Sequence, residues 1–202
     1  MARTCSLFAN RYTAFIDACS LAGALKRNLL LTLAEGEFFR LRWSSRVLTE
    51  TEQAIQKILL NKGVTDAADR AVRARGFMEE AFEDACVDDY DEFLCACTSL
   101  PDANDAHVLA AALKTQAATI VTDNLKDFPE TILTPLNIEA RSTDAFIADT
   151  ISLDLGRAVA VIRNMRLRMK RPEKTPQILL LDMEAEGLTE TVDVLRAHVQ
   201  SL

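Results

Sequence analysis

Five carboxylates stand where the chain's pattern would bring them near one another. Asp17 closes the apolar run Tyr12–Ile16, and Asp123 follows the run Ala118–Thr122. Glu50 lies early in an amphipathic stretch opened by Ser44 or Ser45, and Asp102 and Asp105 straddle the start of another. Acids gathered in one cleft repel one another and raise each other's pKa values unless a cation neutralises them. Hard oxygen donors of this kind suit Mg²⁺ or Mn²⁺. Two such ions about 4 Å apart activate a water and stabilise the leaving oxygen of a phosphodiester, so metal-dependent phosphoryl hydrolysis is the chemistry that fits.

Each acid also has an ordinary local use. Asp17 can start a turn, Asp102 can cap a helix with Asp105 at the capping-box position, and Asp123-Asn124 is common turn chemistry. Glu50 and Glu52 can pair along a helix with Arg46 or Gln56. Singly, those uses suffice; together, at these positions, the five acids favour chemistry.

Other constellations are thin. With only His107 and His198 and no Gly-x-Ser-x-Gly, a serine or cysteine triad has little to work with, and His107 reads as a helix-surface residue. Neither phosphate-cradling glycine motif occurs. Cys19 occupies the place, two residues after Asp17, where a haloacid-dehalogenase phosphatase needs its second aspartate.

The elements that must position the acids follow from the periodicity. Glycine and proline number only 6 and 5 in 202 residues, so a helix-rich fold is expected. Strands are expected at Tyr12–Ile16, Phe39–Trp43, Ala118–Thr122 and Ile138–Arg141. Between them, leucines at i+4 from Leu21 to Leu33 form one helix closed by a left-handed Gly36. Others run from Ser44 or Ser45 through Leu59, from Thr65 to Cys86 with Gly76 a candidate break, and from Ala103 to about Gln116. Strands alternating with helices predict a parallel α/β sheet with helices on both faces, and a site beyond the strands' carboxyl ends where strand order reverses.

The remainder differs. From Ala148 to Met169 apolar residues step by three and four along one long helix, which Arg171-Pro172 ends; a second starts at Thr175-Pro176, and Thr189 caps a last one. This predicts a sheet domain over 10–142 and a helical appendage over 143–202.

The net charge of −7 argues against nonspecific coating of nucleic acid, yet the charges are segregated. Glu79 to Glu92 holds eight acids and no base, whereas Arg157 to Lys174 holds seven bases against Glu173. Arg163, Arg166 and Lys170 fall on one flank of the long helix and are candidates to hold phosphates of a substrate. The five cysteines lack zinc spacing and read as reduced, mostly buried thiols. With no apolar run long enough for a membrane span and no secretory leader at the N-terminus, the expectation is a cytoplasmic protein.

Four segments together resemble the PIN-domain ribonucleases, in particular the VapC-type toxins of bacterial toxin–antitoxin pairs. They are Phe15-Ile16-Asp17-Ala18-Cys19-Ser20-Leu21, Ser44 to Thr51, Leu100 to Leu113 and Ile120 to Pro129. The C-terminal helices resemble, more loosely, an extra region of one VapC subgroup. The resemblance implies a Rossmann-like PIN fold, endonucleolytic RNA cleavage, dimerisation, and inhibition by a cognate VapB-like antitoxin. It also implies that Asp17, Glu50 and Asp105 are the first three metal acids and that Asp102 belongs to the same loop. Asn124 stands where the family often has its fourth acid, which leaves Asp123 or Asp127 to serve; Asp123, at a strand end, is preferred. Thr122 and Asn124 would line the site. A nuclease-inactive PIN module that binds RNA or protein is the alternative, and a DNA-directed or flap nuclease a third reading.

Overall fold

The short apolar runs form a five-stranded, wholly parallel sheet in the order β3-β2-β1-β4-β5, comprising β1 (Thr13–Ile16), β2 (Arg40–Ser44), β3 (Cys86–Val87), β4 (Thr119–Val121) and β5 (Glu139–Arg141). This computed structural model describes residues 12–170 and 172–202. Cys5, the N-terminal leader question, the domain start at 10 and the part of Arg171 in ending a helix lie outside the described residues.

Strand β1 is buried along its whole length, as a central parallel strand covered on both faces must be. It pairs with β4 in the register Phe15↔Ile120 and Ile16↔Val121, and with β2 on its other side. The chain runs outward from β1 through β2 to β3, then crosses back to β4 and β5. Strand order therefore reverses between β1 and β4, where Asp17 and Thr122-Asp123 emerge.

The helices are α1 (Ala18–Ala22), α2 (Ala24–Glu35), α3 (Ser45–Asn61), α4 (Ala67–Ala81), α5 (Ala106–Lys114), α6 (Glu130–Leu133), α7 (Thr143–Leu153), α8 (Leu155–Arg168), α9 (Pro176–Ala185) and α10 (Thr189–Arg196). Several differ from the sequence reading. The leucine run from Leu21 is two helices parted at Gly23, whose extended backbone (φ −72°, ψ 127°) cannot continue a helix. Gly36 has φ −73° and is not left-handed; Glu37, at φ 57°, is. Helix α4 passes through Gly76 without a break, then gives way to a 3₁₀ turn, Glu83–Ala85, and to the unforeseen edge strand β3. The helix expected from Ala103 opens as a 3₁₀ turn, Ala103–Asp105, before α5 begins.

The long C-terminal stripe is broken at Asp154 (φ −151°, ψ 79°), whose side chain accepts the Arg157 N–H at 3.1 Å and so caps α8. Thr175 caps α9 as expected, but Thr189 does not cap α10. There Asp144 accepts the N–H groups of Glu190 and Thr191 at 2.8 and 2.9 Å. Helices α7, α8, α9 and α10 are joined to the sheet layer by one continuous hydrophobic core, in which Leu29 and Leu33 of α2 share burial with Ile151, Ile162, Leu179 and Leu195. The apolar stripe is thus covered by the chain itself. Among the described cysteines only Cys97 is buried; Cys19, Cys86 and Cys95 are exposed free thiols, against the expectation of mostly buried ones. Among the described residues no helix is long and apolar enough to cross a membrane.

Candidate metal centre

Asp17 is built by the end of β1. Its extended backbone makes it the cap of α1, and its Oδ1 accepts the Ala18 N–H at 2.7 Å. Its Oδ2 accepts the Thr122 hydroxyl at 2.8 Å and the Cys19 thiol at 3.1 Å. Thr122 is fully buried, and its own N–H is taken by the Arg141 carbonyl, so the donor that orients Asp17 is locked to the sheet. Asp17 itself is 8% exposed, yet it pairs with no lysine or arginine among the described residues.

Three further acids converge on loops beyond the sheet. Asp102 caps the 3₁₀ turn by accepting the Asn104 N–H at 2.8 Å, Asp105 ends that turn, and Asp127 ends the turn Leu125–Asp127 after β4. One carboxylate oxygen from each lies within 4.8 Å of the others. Burial, followed by the negative charges of Asp17, Asp102 and Asp127, pushes Asp105 up to about 6. Asn124 leans on the same group, with Nδ2 3.4 Å from Asp105 Oδ2. A cluster of acids, two of them half-buried, without a basic partner among the described residues is a donor set that fits a hard divalent cation.

Glu50 projects from α3, the helix capped by Ser44 at the end of β2. Its Oε1 lies 3.1 Å from Arg46 Nε and 3.2 Å from His107 Nε2. Burial alone would raise the Glu50 pKa, but the His107 and Arg46 contacts outweigh it and hold the carboxylate below its ordinary value.

Asp123 is placed otherwise. Its Oδ2 meets Lys26 Nζ at 2.7 Å and its Oδ1 accepts the Thr143 N–H at 2.9 Å. Burial opposes ionisation there, yet the Lys26 and Thr143 bonds hold Asp123 below the usual carboxylate range. Asp127, not Asp123, joins Asp102 and Asp105.

The three candidate phosphate-binding cations do not form one group of free charges. Arg166 donates to the backbone carbonyls of Leu202 (3.1 Å) and Lys174 (2.7 Å), whereas Arg163 and Lys170 are exposed. His107, read from sequence as a surface residue, is 3% exposed. The run Val108–Ala112 behind it is apolar on every side, and that signals a helix buried all round.

A family model described as "PIN domain" matches residues 13–126, more than half of the chain, and the chain belongs to that family. A second, described as "VapC50 C-terminal domain", matches residues 143–197. A protein of Mycobacterium tuberculosis (strain ATCC 25618 / H37Rv) named "Putative ribonuclease VapC50" is 43% identical over 98 residues, which is 48% of this chain and 55% of that protein. The chain thus matches about half the length of that relative. No solved structure matches the chain.

Proposed function

We propose that the chain is a divalent-metal-dependent endoribonuclease, the toxin of a VapBC-type toxin–antitoxin pair, acting in the cytoplasm and restrained by a VapB-like antitoxin. The observation that carries the reading is the convergence of Asp102, Asp105 and Asp127, without basic partners among the described residues, at the edge where β1 delivers Asp17. A likeness to a protein named as a ribonuclease supports RNA as the substrate.

In this reading Asp17, Glu50, Asp105 and Asp127 hold Mg²⁺ or Mn²⁺, with Asp102 beside them; Asp127 replaces Asp123 as the fourth acid because of the Lys26 and Thr143 bonds. Bound there, the cation supplies charge neutralisation and Lewis acidity at a phosphodiester. Thr122 and Asn124 fix the rotamers of Asp17 and Asp105 by donating to them. The division into a nuclease domain and a helical region from 143 onward, and a homodimeric state, belong to the same proposal.

The test is cleavage of an RNA pool with Mg²⁺ and with chelator, in wild type and in Asp17→Asn, Glu50→Gln and Asp105→Asn. Each variant is expected to fold and to lose cleavage. Metal-independent cutting, or wild-type rates in any folded variant, would overturn the assignment. A well-folded chain that binds RNA and never cuts it would establish the inactive-module alternative.

A further inference from the structure

Glu50 carries two neighbours on one oxygen. Arg46 Nε at 3.1 Å and His107 Nε2 at 3.2 Å both address Oε1. Arg46 sits one turn earlier on α3, with half of its side chain exposed, and a pair of that kind holds a carboxylate weakly. His107 comes from a different element, is buried, and stands two residues beyond Asp105. Its other nitrogen, Nδ1, is buried with no hydrogen-bond partner. Leaving a buried polar atom unsatisfied is costly. Only the Nε2 contact offsets that cost, since it is the one polar interaction the ring makes among the described residues.

The ring's proton belongs on Nε2. A proton on Nδ1 would add an unpartnered buried donor and would turn the Nε2 lone pair toward a carboxylate, which repels it. With the proton on Nε2, both donors converge on Oε1, and Oε2 is left without a hydrogen-bond partner among the described residues.

We infer that His107 is the positioning residue of the metal centre: by donating Nε2–H to Glu50 Oε1 it fixes the Glu50 rotamer, presents Oε2 as the ligating oxygen, and ties α3 to the Asp102–Asp105 loop that supplies the opposing acids. This rests on the reading of Glu50 as a metal ligand. Outer-shell donors of this kind change metal affinity by roughly 10- to 100-fold when removed. His107 never touches metal or substrate in this arrangement; it acts through Glu50.

The experiment reads Mn²⁺ affinity of the full chain by calorimetry and by electron paramagnetic resonance, in four proteins with folding checked by circular dichroism. His107→Phe keeps the ring's bulk without a donor and is expected to weaken Mn²⁺ binding roughly 10- to 100-fold. His107→Gln keeps an N–H at the Nε2 position and is expected to restore most of that loss. Glu50→Gln is the reference. If Glu50→Gln binds Mn²⁺ as wild type does, the metal reading of Glu50 fails and this inference with it. If Glu50→Gln is weakened but folded His107→Phe is not, positioning by His107 alone is overturned. Equal loss in His107→Phe and His107→Gln also overturns it. Should the Phe variant not fold, the ¹⁵N–¹H spectrum of the unaltered protein decides: the expected ring carries its proton on Nε2 and that resonance moves when Mg²⁺ is added, whereas a proton on Nδ1 alone, or no movement, overturns the inference.

Discussion

Lys26 and Asp123, 97 positions apart in the chain, meet at 2.7 Å, and the same carboxylate takes the first N–H of α7 from Thr143. The bond set joins α2, the end of β4 and the start of the C-terminal helices at one point. An acid bound on both oxygens is a joint of the fold.

Asp123→Ala removes both bonds. It is expected to cost about 1–2 kcal/mol, a fall of about 2–8 °C in Tm for a chain of this size, while Mg²⁺ affinity stays within a factor of about two. Asp127→Asn is expected to do the opposite, weakening Mg²⁺ binding with Tm unmoved. Calorimetry and thermal melts on the two variants check the pair. Weakened metal binding in Asp123→Ala alone would restore Asp123 as the fourth acid.

The raised pKa of Asp105, about 6, gives a pH prediction. Its ordinary value is 3.8, so in the metal-free protein the folded state holds the proton more tightly than the unfolded chain does. This group's contribution therefore favours the folded state below about pH 4 and is lost as pH rises from there through about 6. Metal binding runs the other way, because the cation needs the ionised carboxylate. Wild type is expected to lose Mg²⁺ affinity as pH falls through about 6, and its metal-free stability relative to Asp105→Asn to decline as pH rises across the same window. A flat stability difference between pH 4 and 7 would contradict the assignment.

Arg166 holds the carbonyls of Lys174 and Leu202 and is a structural cation. Arg166→Gln is expected to lower stability by about 2 kcal/mol, since hydrogen bonds to charged groups are worth about 1.5–3 kcal/mol. In RNA binding by an Asp17→Asn background, only Arg163→Gln and Lys170→Gln are expected to flatten the slope of log affinity against log salt. An unchanged slope in both would remove α8 and its C-terminal end from the RNA surface.

The Asp154 cap is tested on stability alone. Asp154→Ala is expected to cost about 1 kcal/mol, and Asp154→Asn much less, because the amide oxygen still accepts the Arg157 N–H. Urea melts measure the difference.

The four longer strands were legible because each is a short apolar or alternating run, and the sheet's parallel sense followed from the helices between them. Strand β3 was not, since two residues, Cys86 and Val87, flanked by acids leave no period to detect. The break at Asp154 hid for the opposite reason: the apolar period continues across it, while the kink is set by a capping bond that periodicity does not record. Of the acids singled out from sequence, Asp17, Asp102 and Asp105 stand at element ends, as the pattern implied. That Asp127 and not Asp123 lies beside Asp102 and Asp105 was not legible, because Asp123 is held by Lys26 and Thr143, which are remote in sequence. His107 was misplaced because a histidine resembles a surface residue until the all-round apolar run behind it is weighed.

One continuous core runs from β1 into α10, so the molecule is expected to unfold as a single thermodynamic unit. A ligand bound only by the folded form adds RT ln(1 + [L]/Kd) to the free energy of every opening that exposes its site. Amides that exchange solely through complete unfolding, in Phe15 and equally in Leu195, therefore slow by one common factor when the cation binds. On the proposed metal reading, protection from deuterium at the far end of the chain becomes a gauge of occupancy at Asp17, with no RNA and no cleavage required.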